Sequence, residues 1–240
     1  MRPMPKTAMV LAAGLGTRMR PLSDAMPKPL LEIEGRSLLD HAIDRLALVG
    51  IETIVVNTHY KAEMIAAHLA GRQRPRIEIS HEEELLDTGG GVLRALPRLG
   101  DSFFVINSDT LWLDSKDYAL ARLAGAFDPE RMDAVLLLQR AVTAIGYDGS
   151  GDYFLDALGT PRRRIDGEIA PYLFTGIQLL HRRAFDGAAQ GRFSLNLIYD
   201  RAEAAGRLHA IAHDGEWFHV GTPDGLAATR ARLASHRTER

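Results

Sequence analysis

At 240 residues, 46 % hydrophobic and 25 % charged, the chain has the size and balance of a folded α/β protein and not of a disordered or fibrous one. Its formal net charge of −2 excludes a general attraction to nucleic acid or anionic lipid, so any phosphate binding has to be local. It contains no cysteine, which excludes disulfides, thiolate metal sites and a cysteine nucleophile.

The first apolar run, residues 8–13, is too short for a secretory h-region and ends in glycine. No stretch approaches the roughly 20 apolar residues a membrane helix needs. A cytoplasmic protein without nucleic-acid or membrane partners is therefore expected. Residues 7–13 read as a buried strand. Leu38, Leu39, Ala42, Ile43 and Leu46 have helical spacing and predict a helix over 37–49, with Gly50 just past its end. Residues 51–60 are β-rich, 61–71 helical, 76–80 a strand, 90–99 a short helix and 102–109 a strand. This βαβαβ rhythm predicts a mostly parallel, Rossmann-like central sheet with helices on both faces. Beyond it, 133–141 reads as a strand, 146–168 as a turn-rich segment of hairpins, 172–181 as a strand, 195–205 as a helix and 208–222 as strand. Thr222 and Pro223 suit the N-cap and first position of a last helix running to about residue 235. No linker, repeat or low-complexity segment interrupts the chain, so one domain over 1–240 is expected.

Open parallel sheets bind ligands beyond the C-terminal ends of their strands. On this reading Gly14, His59, Glu82, Asp109, Thr175 and His219 lie at or near such ends and line one crevice. The segment "LAAGLGTRMRPLSDAMPKPL" (11–30) has Gly14 and Gly16 after a strand but lacks the third small residue of a dinucleotide fingerprint and the lysine of a P-loop. What remains is a turn whose N–H groups can converge on an anion, with Arg18 nearby and Lys28 held between Pro27 and Pro29. A turn with solvated basic residues is the alternative. "INSDT" (106–110) ends a strand in Asp109, a carboxylate suited to Mg²⁺ or simply to a turn. "EEELLDTGGG" (82–91) sets three glycines before a helix, where a base or ribose can approach bare backbone. Thr88 equally suits a helix cap, and the acidic residues 82–84 read as a solvated loop. No histidine pair has zinc spacing, and neither Ser108 nor Ser194 sits in a G-x-S-x-G elbow.

Taken together, the 11–30 segment, "TGGG", "NSD", "FTGI" and "WFHVGT", in that order across most of the chain, resemble the sugar-1-phosphate nucleotidyltransferase family. The resemblance implies that a nucleoside triphosphate and a sugar 1-phosphate give a nucleoside diphosphate sugar and pyrophosphate on a single nucleotidyltransferase domain. Residues 1–110 would form its nucleotide half and 111–240 its sugar half. It implies nucleotide contacts at Ala12, Ala13, Gly14, Gly16, Thr17, Arg18, Lys28, Glu82, Thr88, Gly89 and Gly90. Arg18, Lys28 and Asp109 become the catalytic groups, Asn107, Asp152, Thr175 and Gly176 line the sugar, and Asp109 holds Mg²⁺. The short length, "DTGGGVLRALP" and "YLFTGIQLLH" most resemble members that uridylylate N-acetylmuramate 1-phosphate in peptidoglycan recycling. Guanylyl transfer to mannose 1-phosphate, thymidylyl transfer to glucose 1-phosphate, and a non-catalytic nucleotide-sugar sensor stand as alternatives. Arg162, Arg163 and Arg164 are candidate partners for a lactyl carboxylate, or a solvated turn. Either a monomer or a homodimer is compatible with the sequence.

One departure concerns the metal. The family usually carries aspartate in its last motif, where this chain has His219. Four readings stay open: Mg²⁺ on Asp109, water and phosphates; approach of Asp224; a nitrogen-tolerant ion such as Mn²⁺ or Co²⁺; or His219 bonding only a phosphate or its water.

Overall fold

The computed structural model describes residues 4–238. In chain order the elements are β1 (Thr7–Leu11), α1 (Leu22–Ala25), β2 (Glu32–Ile33), β3 (Arg36–Ser37), α2 (Leu38–Leu48), β4 (Thr53–Thr58), α3 (Ala62–Leu69), β5 (Arg76–His81), α4 (Asp87–Ala95), β6 (Ser102–Asn107), β7 (Thr110–Leu113), α5 (Ala119–Ala126), β8 (Ala134–Arg140), β9 (Tyr153–Leu155), β10 (Pro161–Arg163), β11 (Tyr172–His181), α6 (Asn196–Ala204), β12 (Leu208–Ala212), β13 (Glu216–His219) and α7 (Pro223–Thr238).

The strands β5, β4, β1 and β6 lie side by side and parallel. Their faces separate cleanly by the period of two. Ala8 and Val10 of β1, with Phe104 and Ile106 of β6, join the apolar layer under α2, α3 and α5. Met9, Phe103 and Val105 join the layer that holds Val92 and Ala95 of α4 and Ile198 and Ala202 of α6. All are buried, a transfer worth about 1.5–3 kcal/mol for each of the larger side chains and less for the alanines. The expected parallel sheet with two covered faces is thus present.

The second half departs from strict parallel order. Strand β11 runs antiparallel to both β6 and β8, and β12 pairs in parallel with β8. The expected hairpin in 146–168 is β9 with β10, attached to β11 at Tyr153 and Tyr172. The stretch 208–222 forms two strands: β12 in the main sheet and β13 paired with β7 in a separate ribbon. Helix α5 and strand β7 lie where the spacing had assigned nothing.

Local chemistry explains the helix ends. Ser37 caps α2 by accepting from the Asp40 N–H at 3.0 Å, and Gly50 leaves the helix at φ +83°. Thr222 accepts from the Gly225 N–H at 3.1 Å and caps α7, as its position before Pro223 predicts. Helix α4 starts at Asp87, earlier than predicted, and Thr88 does not cap it: its hydroxyl accepts from the Leu195 N–H at 2.9 Å.

Candidate active site

Beyond the C-terminal ends of β1 and β6 opens a cavity of about 420 Å³, within the range of small-molecule sites. Gly14, Gly16, Arg18, Lys28, Asn107 and Asp109 line it, along with Ala13, Thr17, Glu82 and Thr88, all expected from the sequence. The chain from residue 12 to 16 has no regular structure, and Gly16, at φ +64°, turns it into a short 3₁₀ segment, Thr17–Met19. A Cβ at Gly16 would lie 3.2 Å from that of Ser23 and 3.3 Å from that of Lys28, so glycine also lets the lysine segment close on the loop. Among the described residues, no protein acceptor takes the N–H groups of residues 13–17. Five backbone donors beside two basic side chains make an anion-binding concavity.

Lys28 is 8 % exposed and lies in a 3₁₀ turn, Lys28–Leu30, between its two prolines. Its Nζ donates to Asp109 Oδ2 at 2.7 Å, joining the first motif to the end of β6 across 81 residues of sequence. Burial pushes the Asp109 carboxyl up, but the Lys28 ammonium, through charge and hydrogen bond, outweighs it with help from His219 and Arg18, and holds the pKa below the ordinary carboxylate value. Asp109 is therefore ionised at neutral pH. His219 is held below the ordinary histidine value, first by burial and then by Lys28 and Arg18, against the pull of Asp109. It is a neutral imidazole there.

His219 stands opposite Thr110 in the β7–β13 ribbon, and this pairing brings it toward Asp109. Its N–H donates to the Ile145 carbonyl at 2.8 Å, and its ring meets Tyr147 edge-on at 6.0 Å. A Cβ on Gly221 would lie 2.2 Å from Nε2, so the imidazole rests directly on that glycine, which lines the cavity. Asp224 is exposed on the first turn of α7 and does not line the cavity. Among the described residues, no group of three or more His, Cys, Asp or Glu could hold a metal ion. A divalent cation would thus have Asp109, with His219 beside it, and would draw its remaining ligands from phosphates and water, a donor set that suits Mg²⁺ at a phosphate site.

Several expected residues do other work. Ala12 donates its N–H to Asn57 Oδ1 at 2.8 Å. Glu82 is not solvated: it is 1 % exposed, with Oε1 accepting from Asn57 Nδ2 at 2.8 Å and Oε2 from the Leu86 N–H at 3.0 Å. Gly89 and Gly90 do not face the cavity. Both donate their N–H to the Phe193 carbonyl, and a Cβ on Gly90 would lie 2.2 Å from the Gly191 carbonyl oxygen. Their bare backbone admits the loop before α6. A Cβ on Gly91 would strike Glu82 and Asn57, so that glycine makes room for the buried pair.

Thr175 and Gly176 sit where the β11–β8 register shifts between Phe174 and Gln178. The Thr175 hydroxyl donates to the Leu137 carbonyl at 2.7 Å, and its own carbonyl accepts from Thr110 Oγ1 and Trp217 Nε1. Thr175 therefore fastens the β7–β13 ribbon to the sheet through its carbonyl, with its hydroxyl bonded to β8. It reaches the crevice end of the sheet because β11 is antiparallel, not because it ends a parallel strand. Gly176, at φ +80°, leaves space for Asn107, whose Nδ2 would lie 2.7 Å from a Cβ there. Asp152 lies in a different cavity, where Oδ2 accepts from the Phe174 N–H at 2.8 Å.

Sequence reasoning missed Asn57, Asp87 and Arg192, all of which line the nucleotide-sized cavity. Asn57 carries a signal in retrospect: like Asn107, it is a polar residue ending a buried apolar strand. Arg192 follows Gly191 in an exposed loop and makes no ion pair among the described residues.

A family model described as nucleotidyl transferase matches residues 7–138. An N-acetylmuramate alpha-1-phosphate uridylyltransferase of Caulobacter vibrioides is 44 % identical over 236 residues, spanning 96 % of this chain and 98 % of that one. One from Neisseria meningitidis serogroup B is 33 % identical, spanning 93 % and 96 %. In fold, the chain is similar to a putative glucose-1-phosphate thymidylyltransferase of Bacillus anthracis, with a TM-score of 0.79, 19 % identity and 94 % of each chain covered.

Proposed function

Since the chain belongs to the sugar-1-phosphate nucleotidyltransferase family, we propose that it transfers uridylyl from UTP to N-acetylmuramate 1-phosphate in peptidoglycan recycling. The observation that carries the reading is the Lys28–Asp109 pair set against five open backbone donors, in a chain two of whose relatives, matched over nearly their whole length, bear that activity's name. The nucleotide half, 1–110, supplies the loop, Arg18, Lys28 and Asp109, and the half from 111 onward supplies the sugar side.

In the transfer, an oxygen of the sugar phosphate attacks the α-phosphorus, and the bond to the β-phosphate bridging oxygen breaks as pyrophosphate leaves with the electron pair. The nucleophile is already anionic, so no covalent intermediate or strong base is required. The protein holds two polyanions in line and screens their charge. The N–H groups of residues 13–17 and Arg18 embrace the triphosphate. Lys28 exchanges part of its contact with Asp109 for phosphate oxygens, and Arg192 adds a third cation at the wall. Divalent-metal dependence is general in the family. Asp109, with neutral His219, would hold Mg²⁺, or Mn²⁺ or Co²⁺ given the nitrogen donor, and the ion would supply charge neutralisation at the phosphates.

No helix among the described residues is long and apolar enough to cross a membrane, in keeping with a cytoplasmic enzyme. The test is pyrophosphate release with UTP, GTP, dTTP, ATP and CTP against N-acetylmuramate, glucose, N-acetylglucosamine and mannose 1-phosphates, with Mg²⁺ and with Mn²⁺. Turnover concentrated on UTP with N-acetylmuramate 1-phosphate is expected. Preference for another pair reassigns the substrates, and silence throughout, in folded nucleotide-binding protein, favours a sensor.

A further inference from the structure

Away from the nucleotide crevice lies a second cavity of about 310 Å³, lined by Asp152, Arg163, Arg164, Asp166, Phe174 and Asn196 among others. We propose that Arg164 selects an acidic sugar by binding its carboxylate in this cavity, an inference that rests on the transferase reading above.

The three consecutive arginines differ in what already holds them. Arg162 makes a two-pronged pair with Glu168 at 2.9 and 3.0 Å and stacks over Phe154, its guanidinium carbon 4.2 Å from the ring centroid. Arg163 pairs with Asp200 at 3.1 Å. Arg164 instead donates Nε to the Gly151 carbonyl at 2.7 Å and reaches the Glu168 carbonyl with Nη1 at 3.5 Å. Among the described residues it has no carboxylate partner, and its Nη2 bonds nothing. The guanidinium is thus oriented by backbone, with its charge felt by the Glu168 carboxylate but its Nη2 free, and its planar fork matches a carboxylate.

The rest of the cavity suits a sugar body. Asp152 is fixed by the Phe174 N–H through Oδ2, which leaves Oδ1 to accept from a hydroxyl. Asn196, the exposed first residue of α6, offers an amide. Asp166, exposed, also lines the cavity and adds a negative charge beside Arg164. Position supports the same assignment. Phe174 lines this cavity, and two residues further along β11 Gly176 packs on Asn107 of the nucleotide crevice. On this proposal, a sugar whose phosphate lies at Asn107 would extend its ring substituents into the Arg164 cavity. N-acetylmuramate differs from N-acetylglucosamine by a lactyl ether bearing one carboxylate, the group Arg164 would take.

The test measures kcat/KM for N-acetylmuramate and N-acetylglucosamine 1-phosphates, with UTP, in wild type, Arg164→Gln and Asn196→Asp, each checked by thermal melting. Arg164→Gln is expected to lower kcat/KM for the acidic sugar by about 10–100-fold, the loss of a charge-assisted hydrogen-bonded contact, with N-acetylglucosamine 1-phosphate and the UTP KM within about two-fold of wild type. Asn196→Asp, a surface change that adds a repelling carboxylate, is expected to shift selectivity in the same direction by less. An equal loss on both sugars, or no loss on either, overturns the role of Arg164. A wild-type enzyme that prefers the uncharged sugar overturns the substrate reading itself, a result visible before any variant is made.

Discussion

Two glycine-rich segments belong to the nucleotide half, one lining the crevice and one buried behind it, and they use glycine for opposite ends. In the loop after β1, Gly14 has nothing within 4 Å of where a Cβ would stand, and the backbone donors of residues 13–17 are open. At the start of α4, Gly89, Gly90 and Gly91 are buried, their Cβ positions blocked by Phe193, Gly191 and the Asn57–Glu82 pair, and the first two donate to Phe193. One segment leaves its backbone to a ligand, whereas the other gives it to the protein. A bare glycine motif therefore identifies close approach, but what approaches is decided by which donors remain unspent.

The contrast can be broken by substitution. Lys28→Ala should lower kcat by about 10²–10³, the usual cost of removing one preorganised electrostatic group, while the protein stays folded. Pyrophosphate release at saturating substrates checks it, and turnover within a few-fold of wild type removes Lys28 from the chemistry. Asn57→Ala leaves the Ala12 N–H and a Glu82 carboxylate oxygen buried without their partner, so urea unfolding should show a loss of about 2–4 kcal/mol. A loss below about 1 kcal/mol would show that the two segments are not braced through Asn57. Gly90→Ala must displace the Gly191 backbone and should cost about 1–3 kcal/mol, whereas Gly14→Ala should stay within about 0.5 kcal/mol and instead raise the KM for UTP. If the two glycine variants behave alike, the distinction between ligand-facing and protein-facing backbone fails.

Much of the fold was legible because its signals are local. The alternation of apolar strands with helical spacing, Ser37 and Thr222 as caps, and Gly50 past α2 all appear where the sequence places them. Arg18, Lys28 and Asp109 were legible as a constellation, since the prolines around Lys28 and the strand end at Asp109 are themselves local features. What escaped depends on register and on partners distant in sequence. Asn57 meets Ala12 because β4 pairs with β1 so that Leu11 stands opposite Asn57. The run at 82–84 reads as solvated, yet Glu82 is buried because Gly91 clears space for it. Thr175 looks like a ligand contact, but at a register shift in an antiparallel strand its hydroxyl and carbonyl also bond within the protein. His219 was expected near Asp109 from the last motif, but the β7–β13 pairing that brings it there is not visible in the spacing.

The most direct measurement is a crystal structure of the UTP complex. Triphosphate oxygens are expected within hydrogen-bond distance of the N–H groups of residues 13–17, with Lys28 turned at least partly from Asp109 to a phosphate. A triphosphate bound instead at the start of α4, on the amides of Gly89 and Gly90 with the Phe193 loop displaced, would contradict that placement.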